Sequence, residues 1–308
     1  MMKSGPDFIG IGAQKAGTTW LFDALNRLPE FSLPPIKELH YFDRNPGYIS
    51  SNNLYESSPW KRIKQKGYLS KALRHIFYLF RQGKTSDAKF LARWYFGFYD
   101  DNWYLSLFDK LKGLRGEISP SYSILNREDI VKIHQLIPHV KLVFIVRNPI
   151  DRAWSHYRFA KGKRLKYGAV EDSIEEIRKF MDWEGQESRS DYKRTIENYA
   201  SVFPKGQVLL GFHDAMIERP EELLGDILGF IAEGVELQPY QLEVGKVIHK
   251  SLSMQIPEEI RDYLKVKYRA QIEFLAEKYG GYFYGWYTET YTDEPPVFDT
   301  PPPVSFMV

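Results

Sequence analysis

The sequence predicts an α/β protein: a P-loop-like central parallel sheet flanked by helices, with a helical, aromatic-rich insertion. Three observations predict it. A short apolar strand, a glycine-bearing loop and a helical period follow one another between Phe8 and Leu28. Apolar strands at Lys141–Val146 and Val208–Phe212 then alternate with helical periodicities, as in a mainly parallel, helix-covered sheet. Between the opening unit and those strands, from Arg44 to about Lys112, the pattern is irregular, aromatic and basic.

Taken in order, Phe8 to Ile11 reads as a buried strand. Trp20, Leu21, Ala24, Leu25 and Leu28 then share one helical face, which Thr18 or Thr19 can open. Leu69 to Phe80 and Ala88 to Phe98 read as helices joined by the polar stretch Gln82 to Asp87. Gly116 to Pro120 suggests a short strand or loop, and Asp129 to Leu136 a helix. Asn148-Pro149 breaks the strand at Lys141–Val146, and a helix follows through Asp151 to Phe159. Helical periods recur at Ser173 to Met181, Tyr192 to Val202, Pro220 to Ile231 and Pro257 to Tyr279. The Pro-rich end from Glu294 reads as loose. No linker divides the 308 residues, which suit one domain with an insertion at about 44–112.

Composition excludes several classes of function. With 42 basic and 40 acidic residues the net charge is +2, against the strongly basic balance of a general nucleic-acid binder. Absence of cysteine removes disulfides, thiolate metal sites and thiol nucleophiles. Apolar stretches such as Leu142 to Val146 are too short to span a bilayer. With no basic-plus-apolar leader before Phe8, the expectation is a cytoplasmic protein without an anchor. The aromatic content of 16% fits either rings lining a groove or a large aromatic core.

The first chemical motif is Gly12-Ala13-Gln14-Lys15-Ala16-Gly17-Thr18-Thr19-Trp20. Such a loop presents backbone N–H groups to an anion, and the helix N-terminus adds positive potential. Lys15 supplies a point charge, and Thr18 and Thr19 supply hydroxyls. Gly12 and Gly17 have the spacing of a nucleotide triphosphatase P-loop, but Thr18 stands where that loop needs lysine. The departure disfavours an ordinary kinase or NTPase. The second motif ends an apolar strand on Arg147 and places Ser155 eight residues later, two turns along a helix. A guanidinium suits bidentate phosphate binding, although an arginine at a strand end is more often a surface ion-pair residue. The third is Lys37-Glu38-Leu39-His40-Tyr41-Phe42-Asp43. In an extended segment Glu38 and His40 point to one side. A carboxylate beside an imidazole suits removal of an acceptor proton. A charged loop without chemistry satisfies the same spacing.

Together these strings resemble the PAPS-dependent sulfotransferases, PAPS being 3'-phosphoadenosine 5'-phosphosulfate. Gln14 to Thr19 is similar to their 5'-phosphosulfate loop, and Val143 to Tyr157 to their 3'-phosphate motif. The resemblance implies that Lys15, Ala16, Gly17, Thr18 and Thr19 hold the 5'-phosphosulfate, with Lys15 on the bridging oxygen. It implies that Trp20 lies near the adenine and that Arg147 and Ser155 grip the 3'-phosphate. Glu38 matches the proposed general base of heparan sulfate and related carbohydrate sulfotransferases, with His40 and Asp43 as support and His40 as the competing base. Gly116 to Tyr122 resembles the same subfamily, except that Ile118 stands where many members have lysine. That departure weighs against a heparan-like polyanionic acceptor, with Lys37 or Lys250 as possible replacements. The implied reaction is in-line sulfuryl transfer from PAPS to a small-molecule or carbohydrate acceptor. It leaves 3'-phosphoadenosine 5'-phosphate and calls on no metal. A nucleotide kinase or NTPase, or a noncatalytic nucleotide-binding protein on the same fold, are the alternatives. Acceptor identity and oligomeric state are not written in these motifs.

Overall fold

A computed structural model describes residues 5–50, 54–165, 172–233, 254–292, 297–298 and 300–308. The opening unit runs β1 (Phe8–Gly12), α1 (Thr18–Leu25) and the two-residue strand β2 (Phe31–Ser32). Four helices follow: α2 (Pro59–Ile63), α3 (Tyr68–Arg81), α4 (Thr85–Phe96) and α5 (Asp101–Ser106). Next come β3 (Leu114–Ile118), a 3₁₀ turn over Pro120–Ile124, α6 (Arg127–Leu136), β4 (Lys141–Val146) and α7 (Pro149–Leu165). Then come α8 (Ile174–Met181), α9 (Glu184–Ser190), α10 (Tyr192–Ala200) and β5 (Val208–Phe212). The remainder is α11 (His213–Glu218), α12 (Pro220–Ile231), α13 (Glu258–Tyr279), α14 (Gly281–Tyr291) and β6 (Ser305–Met307).

The strands form one sheet in the order β2-β3-β1-β4-β5-β6. The first five run parallel, and β6 pairs antiparallel with β5. β1 and β5 are buried along their whole length and β4 along all but its first residue, which accounts for their unbroken apolar runs. Gly10 sits at a close approach: a Cβ there would lie 3.0 Å from Ile118 Cγ1 on β3. β1 lies between β3 and β4, so the chain leaves it for one side of the sheet and later returns to the other. The crevice at the carboxyl ends of the strands beside such a reversal is where open α/β sheets bind ligands.

Local chemistry sets the helix starts. Asp100 and Asn126 accept from the backbone amides of Trp103 and Asp129 to cap α5 and α6, and Ser173 with Glu176 forms a capping box on α8. Several elements depart from the expectation. β2 and α5 are too short to leave a period in the sequence. The helical pattern read as ending at Tyr279 is followed, past the Gly280-Gly281 corner, by α14. The end read as loose contributes β6, because Phe306 stacks on Tyr279 at 5.4 Å and meets Phe212 at 6.0 Å.

Candidate functional site

The loop after β1 and the chain after β4 emerge side by side. Ala13 N–H donates to the Ile145 carbonyl at 2.6 Å, which ties the phosphate-type loop to the strand that ends before Arg147. Gly17 starts α1 at φ 102°, and no side chain caps the helix. That left-handed φ favours glycine, and a Cβ there would also stand 2.5 Å from Met216 Sδ. Leu21 N–H bonds back to the Gly17 carbonyl, leaving the Thr18 and Thr19 amides outside the intrahelical ladder. Lys15 has φ 73°, a left-handed backbone that costs a non-glycine residue roughly 1–3 kcal/mol. Its Nζ lies 4.3 Å from the centre of the Phe159 ring. Phe159 is on α7, one turn past Ser155, so the two phosphate motifs meet there. Ala16 and Thr18 are buried. Trp20, only 8% exposed, packs in the core.

Arg147 is half-buried at the end of β4, and Ser155 is buried on α7. Burial lowers the Arg147 pKa, and Asp151 and Asp214 offset part of that effect. The Arg147 carbonyl accepts from Tyr192 Oη at 2.7 Å. Ser190, just upstream, accepts from buried Arg152 at 2.9 Å, so the Ser190-Asp191-Tyr192 stretch braces this motif. Burial and Arg147 push His213 down to about 3, leaving it neutral beside the cradle.

The third motif joins the first. Lys37 Nζ donates to Thr19 Oγ1 at 2.8 Å, and its neighbour Glu38 presents a carboxylate 3.3 Å from His40 Nε2. His40 Nδ1 meets Asp43 Oδ2 at 2.8 Å and Ser121 Oγ at 3.1 Å. Burial opposes charge on His40, but hydrogen bonds to Asp43 and Glu38 outweigh it and raise its pKa to about 10. The imidazole is therefore a cation between two carboxylates at neutral pH. Burial would raise the Asp43 pKa, yet its bond to His40 brings it below the usual range. Burial lowers that of Lys37. Glu38 and His40 do meet, but not on an extended strand, because His40 sits at φ 54°.

That kink is braced from behind by residues whose role the sequence did not reveal. Leu39 N–H donates to Ser119 Oγ at 3.0 Å, and Tyr41 N–H donates to Tyr122 Oη at 2.9 Å. Both hydroxyls turn to Glu117 on β3, Ser119 Oγ at 2.7 Å and Tyr122 Oη at 3.3 Å, and Tyr104 Oη donates to it at 2.5 Å. Glu117 is fully buried, and burial raises its pKa to about 7. Arg189, on α9, is another unforeseen neighbour. It feels the charges of Asp43 and Glu38, while burial and Arg152 lower its pKa to about 10. Glu117 lies inside the Gly116 to Tyr122 string already singled out by its resemblance, but nothing local marks its role, and Arg189 is one of several charges on α9. Ile118 is fully buried against Gly10, facing the core rather than the crevice. Lys250 lies outside the described residues.

The arrangement therefore links an anion cradle and its lysine, through the Lys37–Thr19 bond, to a carboxylate–imidazolium–carboxylate row. Residues 5–262 match the family model of the sulfotransferase domain. Among solved structures, the chain is similar to a sulfotransferase from Alicyclobacillus acidocaldarius. That match has 21% identity, covers 89% of this chain and 95% of the other, and has a TM-score of 0.58. It is also similar to the sulfotransferase domain of the Synechococcus PCC 7002 olefin synthase, at 17% identity, over 86% and 95% of the two chains, with a TM-score of 0.48. No curated protein sequence matches it significantly.

Proposed function

This chain belongs to the sulfotransferase domain family, and from that premise we propose that it moves the sulfuryl group of PAPS to a hydroxyl or amine of a carbohydrate or small-molecule acceptor. The observation that carries the proposal is the Lys37–Thr19 hydrogen bond, which holds Glu38 beside the phosphate-type loop. A proton acceptor and an anion cradle thus serve one reacting centre.

The cradle suits the co-substrate. Gly17 starts α1 on a left-handed backbone, and the Thr18 and Thr19 amides with Lys15 suit the 5'-phosphosulfate. Arg147 and Ser155 suit the 3'-phosphate at the other end. Glu38 takes the proton as the acceptor oxygen or nitrogen forms its bond to sulfur. The bond from sulfur to the bridging phosphate oxygen breaks, and Lys15 stabilises the charge left on that oxygen. A sulfated acceptor and 3'-phosphoadenosine 5'-phosphate leave. His40 is a cation at neutral pH, which supports Glu38 rather than His40 as the base. His40 and Asp43 then position the Glu38 carboxylate.

Isothermal titration with PAPS and with ATP plus Mg²⁺, followed by an acceptor screen read by mass spectrometry, tests this reading. Tight PAPS binding and a sulfate-mass gain on an acceptor are expected. Tight ATP binding with phosphate transfer would point to a kinase, and PAPS binding without transfer to any acceptor would leave only a nucleotide-binding protein. Arg147→Ala should weaken 3'-phosphoadenosine 5'-phosphate far more than AMP. Equal losses would remove Arg147 from the clamp.

A further inference from the structure

α3 turns much of its apolar surface outward. Leu69, Leu73, Phe77 and Phe80 recur at three- and four-residue steps, so they share one face. They are 44%, 53%, 60% and 61% exposed. Ala72 is the only fully buried residue of this helix; its opposite side leans on α4, where Tyr68 and His75 meet Tyr95. Trp60 and Tyr78 add exposed rings nearby. Contiguous exposed apolar surface of this kind marks an interaction site.

The charge around the face says what kind of partner it fits. Not one Asp or Glu stands between Glu56 and Asp87. Lys64, Lys66, Lys71, Arg74, Arg81 and Lys84 are spread over the same segment, and all are exposed. In a chain of net charge only +2, this is a strong local asymmetry. A symmetric dimer through this face would set the basic patch against its own copy, which like-charge repulsion disfavours. An anionic bilayer surface offers both complements at once: headgroup charge for the lysines and arginines, and acyl chains for the leucines and phenylalanines.

We propose that α3 and its basic surroundings dock the protein in the plane of an anionic lipid bilayer. The 14-residue helix is about 21 Å long, short of the ~30 Å hydrocarbon core, so it lies on the surface rather than across it. Accordingly, no helix among the described residues is long and apolar enough to cross a membrane. Docking needs no catalytic turnover and stands apart from the sulfuryl-transfer reading.

Flotation of the full chain with vesicles tests the proposal directly. Phosphatidylglycerol-rich vesicles should carry the protein upward at low salt and release it at high salt, while pure phosphatidylcholine vesicles should retain much less. Phe77→Ser and Phe80→Ser should each weaken partition on the order of tenfold, the cost of withholding one phenyl group from an apolar phase. Lys71→Glu with Arg74→Glu should abolish the preference for anionic lipid. These side chains are exposed, so the melting temperature should hold, which separates lost docking from lost folding. A wild-type chain that stays off anionic vesicles overturns the proposal, whether it is monomeric, dimeric through α3, or held there by an acidic protein. So does binding indifferent to these substitutions.

Discussion

Asp43 and Glu117 are two fully buried carboxylates behind one short segment, and their surroundings drive them in opposite directions. Asp43 faces the His40 imidazolium, and that partner holds its pKa below the usual value. Glu117 faces the hydroxyls of Tyr104, Ser119 and Tyr122, and burial carries its pKa to about 7. Hydroxyls satisfy hydrogen bonds without neutralising charge, so they do not repay desolvation as a cation does. The difference separates two tasks. The Asp43 side maintains a charged row reaching Glu38, and the Glu117 side holds the backbone of that row in its strained shape.

Four substitutions sharpen or break this division, taken from the largest expected effect downward. Glu38→Gln removes the half-exposed end of the charged row; turnover should fall about 10²- to 10⁴-fold while affinity for 3'-phosphoadenosine 5'-phosphate stays unchanged. Normal turnover in that variant would leave the row without a chemical role. Asp43→Asn breaks a buried ion pair, and urea unfolding at pH 7 should show a loss of about 3–5 kcal/mol. The same change should lower the His40 pKa from about 10, followed by its imidazole resonances in NMR. An unchanged titration would mean that Glu38 alone keeps the ring charged.

Glu117→Gln acts through pH. A carboxyl raised from 4.5 to about 7 on folding binds its proton more tightly in the native state, so its contribution to stability falls as pH rises across that window. The Gln variant lacks this slope, and its stability relative to wild type should improve from pH 5 to pH 8. A parallel pair of pH profiles would show that Glu117 is ionised throughout. Tyr104→Phe removes a single donor to Glu117 and should cost about 1–3 kcal/mol, more at pH 8 than at pH 5. Equal cost at both values would detach that hydroxyl from the ionised carboxylate. His40 contributes in the same sense at higher pH: its raised pKa adds stability fully present below 6.5 and lost as pH climbs through about 10.

The sequence displayed the parts of this site that follow one another along the chain. Lys15, Thr18 and Thr19 stand in one loop, and Glu38, His40 and Asp43 in one segment, so each set could be read as one contiguous string, while its expected role came from the family resemblance. The roles of Glu117 and Arg189 were hidden because they come from tertiary contacts, with Tyr104 for one and with the Asp43 and Glu38 charges for the other, which no local period records. The fold divides similarly. β4 and β5 were legible as apolar runs because their surroundings bury both faces. α14 was not, because its Tyr-, Phe- and Trp-rich surface shows little polar alternation and a glycine pair precedes it. Ile118 was noticed as an oddity, but only its packing on Gly10 shows that its side chain points into the core.

β6 gives the sheet a finished hem. Its three residues cover one margin of β5, and Phe306 is clasped by the rings of Phe212, Tyr279 and Phe283. Proteolytic trimming of that stretch would bare a row of backbone donors and acceptors on an apolar strand, an invitation to strand-to-strand stacking between molecules. Solution behaviour after limited digestion is therefore tied to a few residues far along the chain from any reacting group.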